Sequence, residues 1–159
     1  LALMALVALH FLRTQPAWHL LARIDLAGGS TGWHRYHLID EFLHRTQEWL
    51  LVGVPYTGHW GMGLHDVTNQ YVAEAVGGGI LRLGLFLGLV TSAFRSIRAS
   101  MRACHTSTVA RHATWALGTA LFVHAMNFLA VSYFEQLVVL WHMTLAIVAS
   151  TTGAQRARD

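Results

Sequence analysis

Arginine and histidine are the residues through which this chain could do chemistry. All 11 basic residues are arginine, and the chain also carries 11 histidines. A guanidinium group keeps its charge and offers a fork of N–H donors that fits phosphate or diphosphate. An imidazole can take up a proton near neutral pH. These residue types are thus suited to binding a phosphorylated group and to removing a proton from a hydroxyl.

Two arginines are candidate diphosphate ligands, and each has a plainer alternative role. Arg35 lies early in a predicted helix, where it could instead pair with Asp40 or Glu41. Arg82 lies near one end of a predicted membrane span, where a charge is expensive unless it is paired or reaches the headgroups. It could hold a lipid diphosphate, or it could extend past the glycines before it toward the interface.

The candidate bases are two neighbouring residues, His65 and Asp66. Histidine is the usual choice because its pKa is close to the working pH. An aspartate at the start of a predicted helix fits an N-cap better than a base. Three rings in the same region, Trp33, Trp60 and Tyr71, suit either the stacking of sugar faces or a position at the bilayer interface.

Metal, cofactor and nucleic-acid roles find little support in the sequence. His34 and His37 have i,i+3 spacing, but no HExxH motif or cysteine pair accompanies them, so we predict no metal and no cofactor. A net charge of +3 without a lysine tract does not favour nucleic acid. The single cysteine, Cys104, leaves the redox compartment undetermined.

The composition is that of a membrane protein. Of the residues, 54% are hydrophobic and 12% charged, and the mean hydropathy is +0.42. We predict an all-α integral membrane protein with about four transmembrane helices and one large extracytoplasmic loop. The spans are residues 77–94, 113–131 and 137–150, preceded by the end of a truncated helix at 1–12. We expect the chain to be the C-terminal part of a longer protein.

The distribution of arginine predicts the orientation of these segments. Residues 95–112 form a basic loop without acids, which we place in the cytoplasm together with the tail at 151–159. Residues 13–76 mix both charges and are predicted to face outward. Apolar spacing predicts helices near 33–50 and 66–76 in this loop, and the glycines at 77–79 should break or bend the second helix before the membrane.

The stretches "WHR", "EWLLVGVP" and "HDVTNQYVAEAVGGGILRLGLFL" together resemble the bacterial O-antigen ligase and polysaccharide polymerase family. The resemblance covers about residues 32–94, and residues 120–150 are similar to the last hairpin of one branch. It implies a multi-pass inner-membrane glycosyltransferase with its large loop in the periplasm. The implied partners are an undecaprenyl-diphosphate-linked glycan, a glycan or lipid acceptor, membrane lipids and the missing N-terminal helices.

The resemblance also assigns residues. Arg35 matches the arginine of the family's loop, whereas the family's His-Asn pair falls on Thr68 and Asn69, so the expected histidine is replaced. His65 lies about one helical turn earlier. The base is then His65, Asp66 or no residue at all, if the enzyme relies on leaving-group stabilisation. We expect substrate contacts from Trp33, Trp60, Asn69 and Tyr71, and also from Arg82, for which the family pattern does not clearly ask.

Two other classes of function remain open. A transporter or channel segment would line its pathway with the polar residues of the last two spans, His124, Asn127 and His142. A scaffold would bind a partner through the aromatic loop. Gly84 and Gly88 form a GxxxG pattern, which we interpret as a place where another helix approaches closely.

Overall fold

The computed structural model describes residues 31–103 and 108–156, and the regular elements in these ranges are all helical. Helix α1 spans Thr31–His44, the short α2 spans Thr46–Trp49, and a 3-10 turn covers Gly58–Trp60. Three long helices follow, α3 over Gln70–Ala103, α4 over Thr108–Asn127 and α5 over Gln136–Arg156. The all-α class is confirmed for these residues. The helix end predicted at 1–12 lies outside them.

Helices α1 and α2 occupy most of the helix predicted near 33–50. They are separated at Arg45, whose backbone leaves the helical region (φ −101°, ψ 29°). Trp49 of α2 folds back on α1, stacking on Phe42 at 4.2 Å between ring centroids and donating its indole N–H to the Phe42 carbonyl at 2.8 Å. The break therefore lets two apolar faces of one predicted helix pack on each other.

The segment before α3 and the first turns of α3 share one hydrophobic core, which we call the loop core. Its buried members are Leu38, Trp49, Trp60, Leu64, Val72, Ala75 and Val76. Because the last three belong to α3, the start of the long helix is part of the loop structure.

Helix α3 begins at Gln70, four residues after the predicted start at Asp66. Residues 61–66 form successive turns instead, with the Leu64 amide donating to the Gly61 carbonyl and the Asp66 amide to the Gly63 carbonyl. Gly63 has a positive φ of 82°, a conformation that glycine adopts without strain. The predicted helix thus loses its first turn to this loop.

The glycine run interrupts α3 where the sequence indicates a break. Gly78 and Gly79 are non-helical, and Gly79 has φ 70° and ψ −165°, a region open essentially to glycine alone. The break separates the Val76 carbonyl from the Ile80 amide, which would be partners in a continuous helix. Both groups are satisfied by the loop: the Val54 amide donates to Val76 O at 2.7 Å, and the Ile80 amide donates to Leu50 O at 2.8 Å.

Beyond the break, α3 is longer than the predicted span at 77–94. It continues through Arg95, Arg98 and Arg102 to Ala103, so the first half of the predicted basic loop is helical. No glycine or proline stops the helix there, and arginine is a good helix former.

The last two helices are shifted from their predicted bounds. Helix α4 starts five residues before the predicted start at 113 and ends four residues before the predicted end at 131. Helix α5 starts one residue before 137 and extends beyond 150 into the predicted tail.

Helices α3, α4 and α5 pack around a second core, which we call the bundle core. Its buried members are Val90, Ala93, Ile97, Leu121, Phe128, Trp141 and Val148. The outside of the bundle is also apolar, with large exposed side chains such as Leu81, Leu85, Phe122, Val139 and Met143. Among the described helices, α3 alone is long and apolar enough to cross a membrane, over Gln70–Arg102, and α5 contains a shorter apolar stretch, Gln136–Thr151. Four spans therefore remain a prediction.

Candidate functional site

One face of α1 carries an exposed aromatic platform. The Trp33 side chain is 61% exposed, lies nearly parallel to the His37 ring at 6.1 Å (9°), and is tilted against Tyr36 at 5.4 Å. A supported indole with its outer face open can stack on the apolar face of a sugar ring. Among the predicted substrate residues, Trp33 is thus accessible to a sugar ring.

Arg35 does not form the ion pairs with Asp40 or Glu41 that the sequence offers as its plainer role. Glu41 pairs with Arg45 (Nε–Oε2 2.7 Å), and Asp40 lies 3.7 Å from His44. Within residues 31–103 and 108–156, Arg35 has no hydrogen-bond or ion-pair partner, although it is half-buried. Its guanidinium donors are not used by the described part of the protein.

The turn that carries His65 and Asp66 is attached to α1. The His34 Nε2 lies 3.1 Å from the Asp66 carbonyl oxygen, which can only accept, so Nε2 carries the proton. This bond joins the residue directly before Arg35 to the residue directly after His65. Both His65 and Asp66 are exposed. The structure thus brings the predicted loop arginine and the predicted bases onto neighbouring stretches of backbone.

The predicted N-cap role of Asp66 is wrong. Asn69 caps α3, because its Oδ1 accepts from the Val72 amide at 3.2 Å. The Asn69 side-chain amide also donates to the Leu129 carbonyl at 3.0 Å, beyond the end of α4. Asn69 is 6% exposed and both ends of its amide are occupied, so its role here is to join α3 to the hairpin.

Trp60 and Tyr71, the other two predicted substrate rings, are also engaged within the protein. Trp60 is 3% exposed and donates its indole N–H to Glu48 at 2.9 Å. The Tyr71 hydroxyl donates to the Ala125 carbonyl at 3.0 Å. Thr68, where the resemblance expects histidine, has a buried hydroxyl without a hydrogen-bond partner among the described residues.

Glu48 organises the loop through three donors, and we call this group the Glu48 cluster. Its carboxylate accepts from His59 at 2.7 Å, Trp60 at 2.9 Å and Arg45 at 3.0 Å. The hydrogen bonds from Trp60 and His59 are the main reason that the pKa of Glu48 falls to about 2. The carboxylate therefore holds the 3-10 turn against α2 as a permanent anion at neutral pH.

A cavity of about 350 Å³ opens between α3 and the α4–α5 hairpin, at the end of the bundle next to the loop; we call it the boundary cavity. Its polar lining comprises Gln70, Glu74, Arg82, Tyr133 and His142. Its apolar lining comprises Phe86, Leu89, Phe128, Val138 and Trp141. A site with a polar rim and an aromatic wall can accept an amphiphilic molecule.

Arg82 is held in a fixed position at this cavity. Its Nε donates to Glu74 Oε2 at 2.6 Å, and its Nη1 donates to the Gly77 carbonyl at 3.3 Å. Glu74 Oε1 in turn accepts from Gln70 at 2.6 Å, and Gln70 Oε1 accepts from the Tyr133 amide at 2.6 Å. A continuous hydrogen-bonded chain thus runs from the hairpin to the guanidinium. The remaining N–H groups of Arg82 have no partner among the described residues.

The three polar residues proposed for a transport pathway do not share one lining. His124 accepts from the Tyr133 hydroxyl at 2.8 Å and donates to Thr144 at 3.1 Å, so both ring nitrogens are used within the hairpin. Asn127 lies exposed at the end of α4. Of the three, only His142 lines the boundary cavity.

Sequence reasoning missed the boundary cavity, and only part of it has a signal in the sequence. Gln70 and Glu74 have i,i+4 spacing, which indicates that their side chains meet on one helix face. The approach of His142 to this face depends on the hairpin and has no local signal. Within the described residues, no group of three or more His, Cys, Asp or Glu side chains is placed to hold a metal ion.

Comparison of the chain with protein-family models, curated proteins and solved structures gives no match.

Proposed function

We propose that this chain is the C-terminal part of a bacterial inner-membrane glycosyltransferase that polymerises or ligates undecaprenyl-diphosphate-linked glycans. The observation that carries the proposal is the boundary cavity, with a positioned arginine at its polar rim and an aromatic wall behind it. Such a site suits a donor whose headgroup is a diphosphate and whose tail is lipid. The protein would cross the membrane several times, with residues 31–76 facing the periplasm.

The apolar exterior of the bundle supports a membrane position. Large side chains on all three long helices face outward, among them Leu85, Phe122 and Val139. In water these surfaces would be costly, since each Å² of exposed apolar area costs about 25 cal/mol. Lipid tails, or the N-terminal helices of a longer protein, would cover them.

In this proposal Arg82 and Arg35 stabilise the diphosphate in different ways. Glu74 neutralises the charge of Arg82, so Arg82 contributes directed N–H donors to a diphosphate more than net charge. Arg35 has no carboxylate partner among the described residues and supplies the uncompensated positive charge. During transfer, negative charge builds up on the departing diphosphate, and rigid cationic donors stabilise it.

The loop would present the acceptor. Trp33 offers an exposed ring for a sugar face, and the bond from His34 to the Asp66 carbonyl keeps the turn with His65 beside α1. Holding donor and acceptor at the membrane boundary converts an encounter of two molecules into a reaction within one complex.

The test is a gel profile of surface and lipid-linked glycans from cells that lack the full-length gene. Wild-type, Arg35→Ala and Arg35→Lys copies are restored in parallel, with Arg98→Ala as the control, since Arg98 is an exposed arginine near the opposite end of α3. We expect Arg35→Ala to abolish long chains, Arg35→Lys to restore them only in part because it lacks the fork, and Arg98→Ala to behave as wild type.

The form of the defect separates the two reactions. Single repeat units attached to the acceptor would indicate a polymerase, and long chains stranded on the lipid carrier would indicate a ligase. An unaltered profile in the deletion strain would remove the proposal and favour a transporter or a scaffold.

A further inference from the structure

The imidazole of His142 has a fixed orientation at the boundary cavity. Its Nδ1 lies 2.7 Å from the Val138 carbonyl oxygen, one turn earlier in α5. Because a carbonyl oxygen can only accept, Nδ1 must carry the proton, and the neutral ring then has its lone pair on Nε2. A histidine whose second nitrogen is held by a backbone carbonyl is prepared to accept a proton at the first.

The boundary cavity that His142 lines also holds an arginine. His142 lies on the α5 side of the boundary cavity, and Arg82 lies on the α3 side. The chain from the Tyr133 amide through Gln70 and Glu74 fixes the guanidinium. A proton acceptor and a set of oriented anion donors therefore line the same space of about 350 Å³.

Other histidines of the described chain are less suited to the role. Both nitrogens of His124 are bonded within the hairpin, and His59 is bonded to Glu48. His65 lies in a turn and has no described partner that would fix its tautomer, whereas the likewise exposed His142 has one. His142 combines a fixed tautomer with a position at the boundary cavity.

We propose that His142 Nε2 accepts the proton of the acceptor hydroxyl, an inference that rests on the proposed function. The hydroxyl oxygen forms a bond to the anomeric carbon of the donor sugar as its proton passes to Nε2. The bond from that carbon to the diphosphate oxygen breaks, and undecaprenyl diphosphate leaves with the electron pair, which Arg82 stabilises through its N–H groups. The proton on Nε2 is afterwards released to solvent.

The experiment measures transfer and carrier binding separately in the full-length protein. His142→Ala and His142→Gln are compared with wild type, Arg82→Ala and the control His112→Ala, an exposed histidine near the start of α4. Transfer is read from the glycan profile in cells. Carrier binding is read from the affinity of the purified protein in nanodiscs for undecaprenyl diphosphate.

We expect both His142 variants to accumulate at the wild-type level and to bind undecaprenyl diphosphate normally. Their long-chain product should fall by about 100-fold or more, the usual contribution of a general base. Arg82→Ala should weaken binding by about ten-fold or more, since it removes hydrogen bonds to a charged group. His112→Ala should change neither readout.

Each other outcome has a definite meaning. Normal product from His142→Ala would overturn the base role. It would not affect the proposed function, which the Arg35 variants test separately. Joint loss of binding and product, or failure of both His142 variants to accumulate, would show a structural role and overturn the inference. An unaltered glycan profile in the deletion strain, with no binding of undecaprenyl diphosphate by wild type, would overturn the proposed function itself.

Discussion

The amide of Val54 donates to the carbonyl of Val76 at 2.7 Å, and this bond replaces one that α3 loses at its glycine break. A β-carbon at Gly53 would lie 2.7 Å from the Gly78 nitrogen and still closer to the Val76 carbonyl oxygen. At Gly79 it would lie against the carbonyls of Leu50 and Leu51. Loop and helix therefore meet backbone to backbone, which only glycine permits at these positions.

Replacing Gly79 by alanine should destabilise the protein by about 2 kcal/mol or more, because alanine resists the observed φ of 70° and its methyl group would separate the two backbones. The measurement is the thermal unfolding of the full-length protein in detergent. Gly84→Ala is the matched control, since no atom of residues 31–103 or 108–156 lies within 4 Å of a β-carbon there. An unchanged Tm for Gly79→Ala would mean that the break is not required.

Asn69→Ala should cost about 2 kcal/mol, from a lost helix cap of about 1 kcal/mol and a lost hydrogen bond of similar size to Leu129. Asp66→Ala should stay within about 0.5 kcal/mol of wild type, because Asp66 is exposed and α3 is capped by Asn69 instead. Unfolding of the two variants side by side tests the assignment of the cap. A larger loss from Asp66→Ala than from Asn69→Ala would contradict it.

The Glu48 cluster should make the loop sensitive to acid. The pKa of Glu48 is about 2, below its ordinary value of 4.5, because the folded loop favours the carboxylate. Its stabilising contribution is therefore complete above pH 4.5 and is lost as the pH falls toward 2. Tryptophan fluorescence of the loop, followed over this range, should report the release of Trp60.

Glu48→Gln should remove this acid transition and Glu41→Gln should keep it, since Glu41 contacts Arg45 but neither His59 nor Trp60. Added salt should weaken the effect because the cluster is exposed. An acid transition that is the same in Glu48→Gln as in wild type would assign it to other groups.

Tyr133→Phe should destabilise the α4–α5 hairpin modestly, by about 0.6 kcal/mol, the average for a hydrogen bond between membrane helices. The variant removes the hydroxyl that donates to His124 at 2.8 Å but keeps the Tyr133 amide that donates to Gln70. Tyr56→Phe, at an exposed ring in the loop, is the control. Equal unfolding of the two variants would show that the bond to His124 contributes nothing.

The sequence carries enough information for the helical class and for the break at 77–79, because both depend on local properties. Apolar content and spacing predict helices, and a run of three glycines predicts a break. The sequence predicts an end of α3 that is too early, because a cluster of arginines indicates a loop by charge while arginine itself favours helix.

The start of α3 could not be predicted from the residues around it alone. Asp66 and Asn69 are both good caps, and the choice of Asn69 depends on its bond to Leu129, 60 residues later. The boundary cavity is still less predictable, since Arg82 and His142 come to line one cavity only through the fold of the hairpin. For Arg35 the sequence offered pairing with Asp40 or Glu41, and the structure uses Glu41 for Arg45 instead.

The first turns of α3 belong to both cores of the molecule. Val72, Ala75 and Val76 are buried in the loop core, while Tyr71 on the adjacent face packs on Phe86 and Phe128 of the bundle. A cut at residue 76 would therefore divide a shared element, and neither piece would keep a complete interior. The periplasmic region proposed here should melt together with the bundle in one cooperative transition, and residues 31–76 expressed alone should aggregate or stay unfolded.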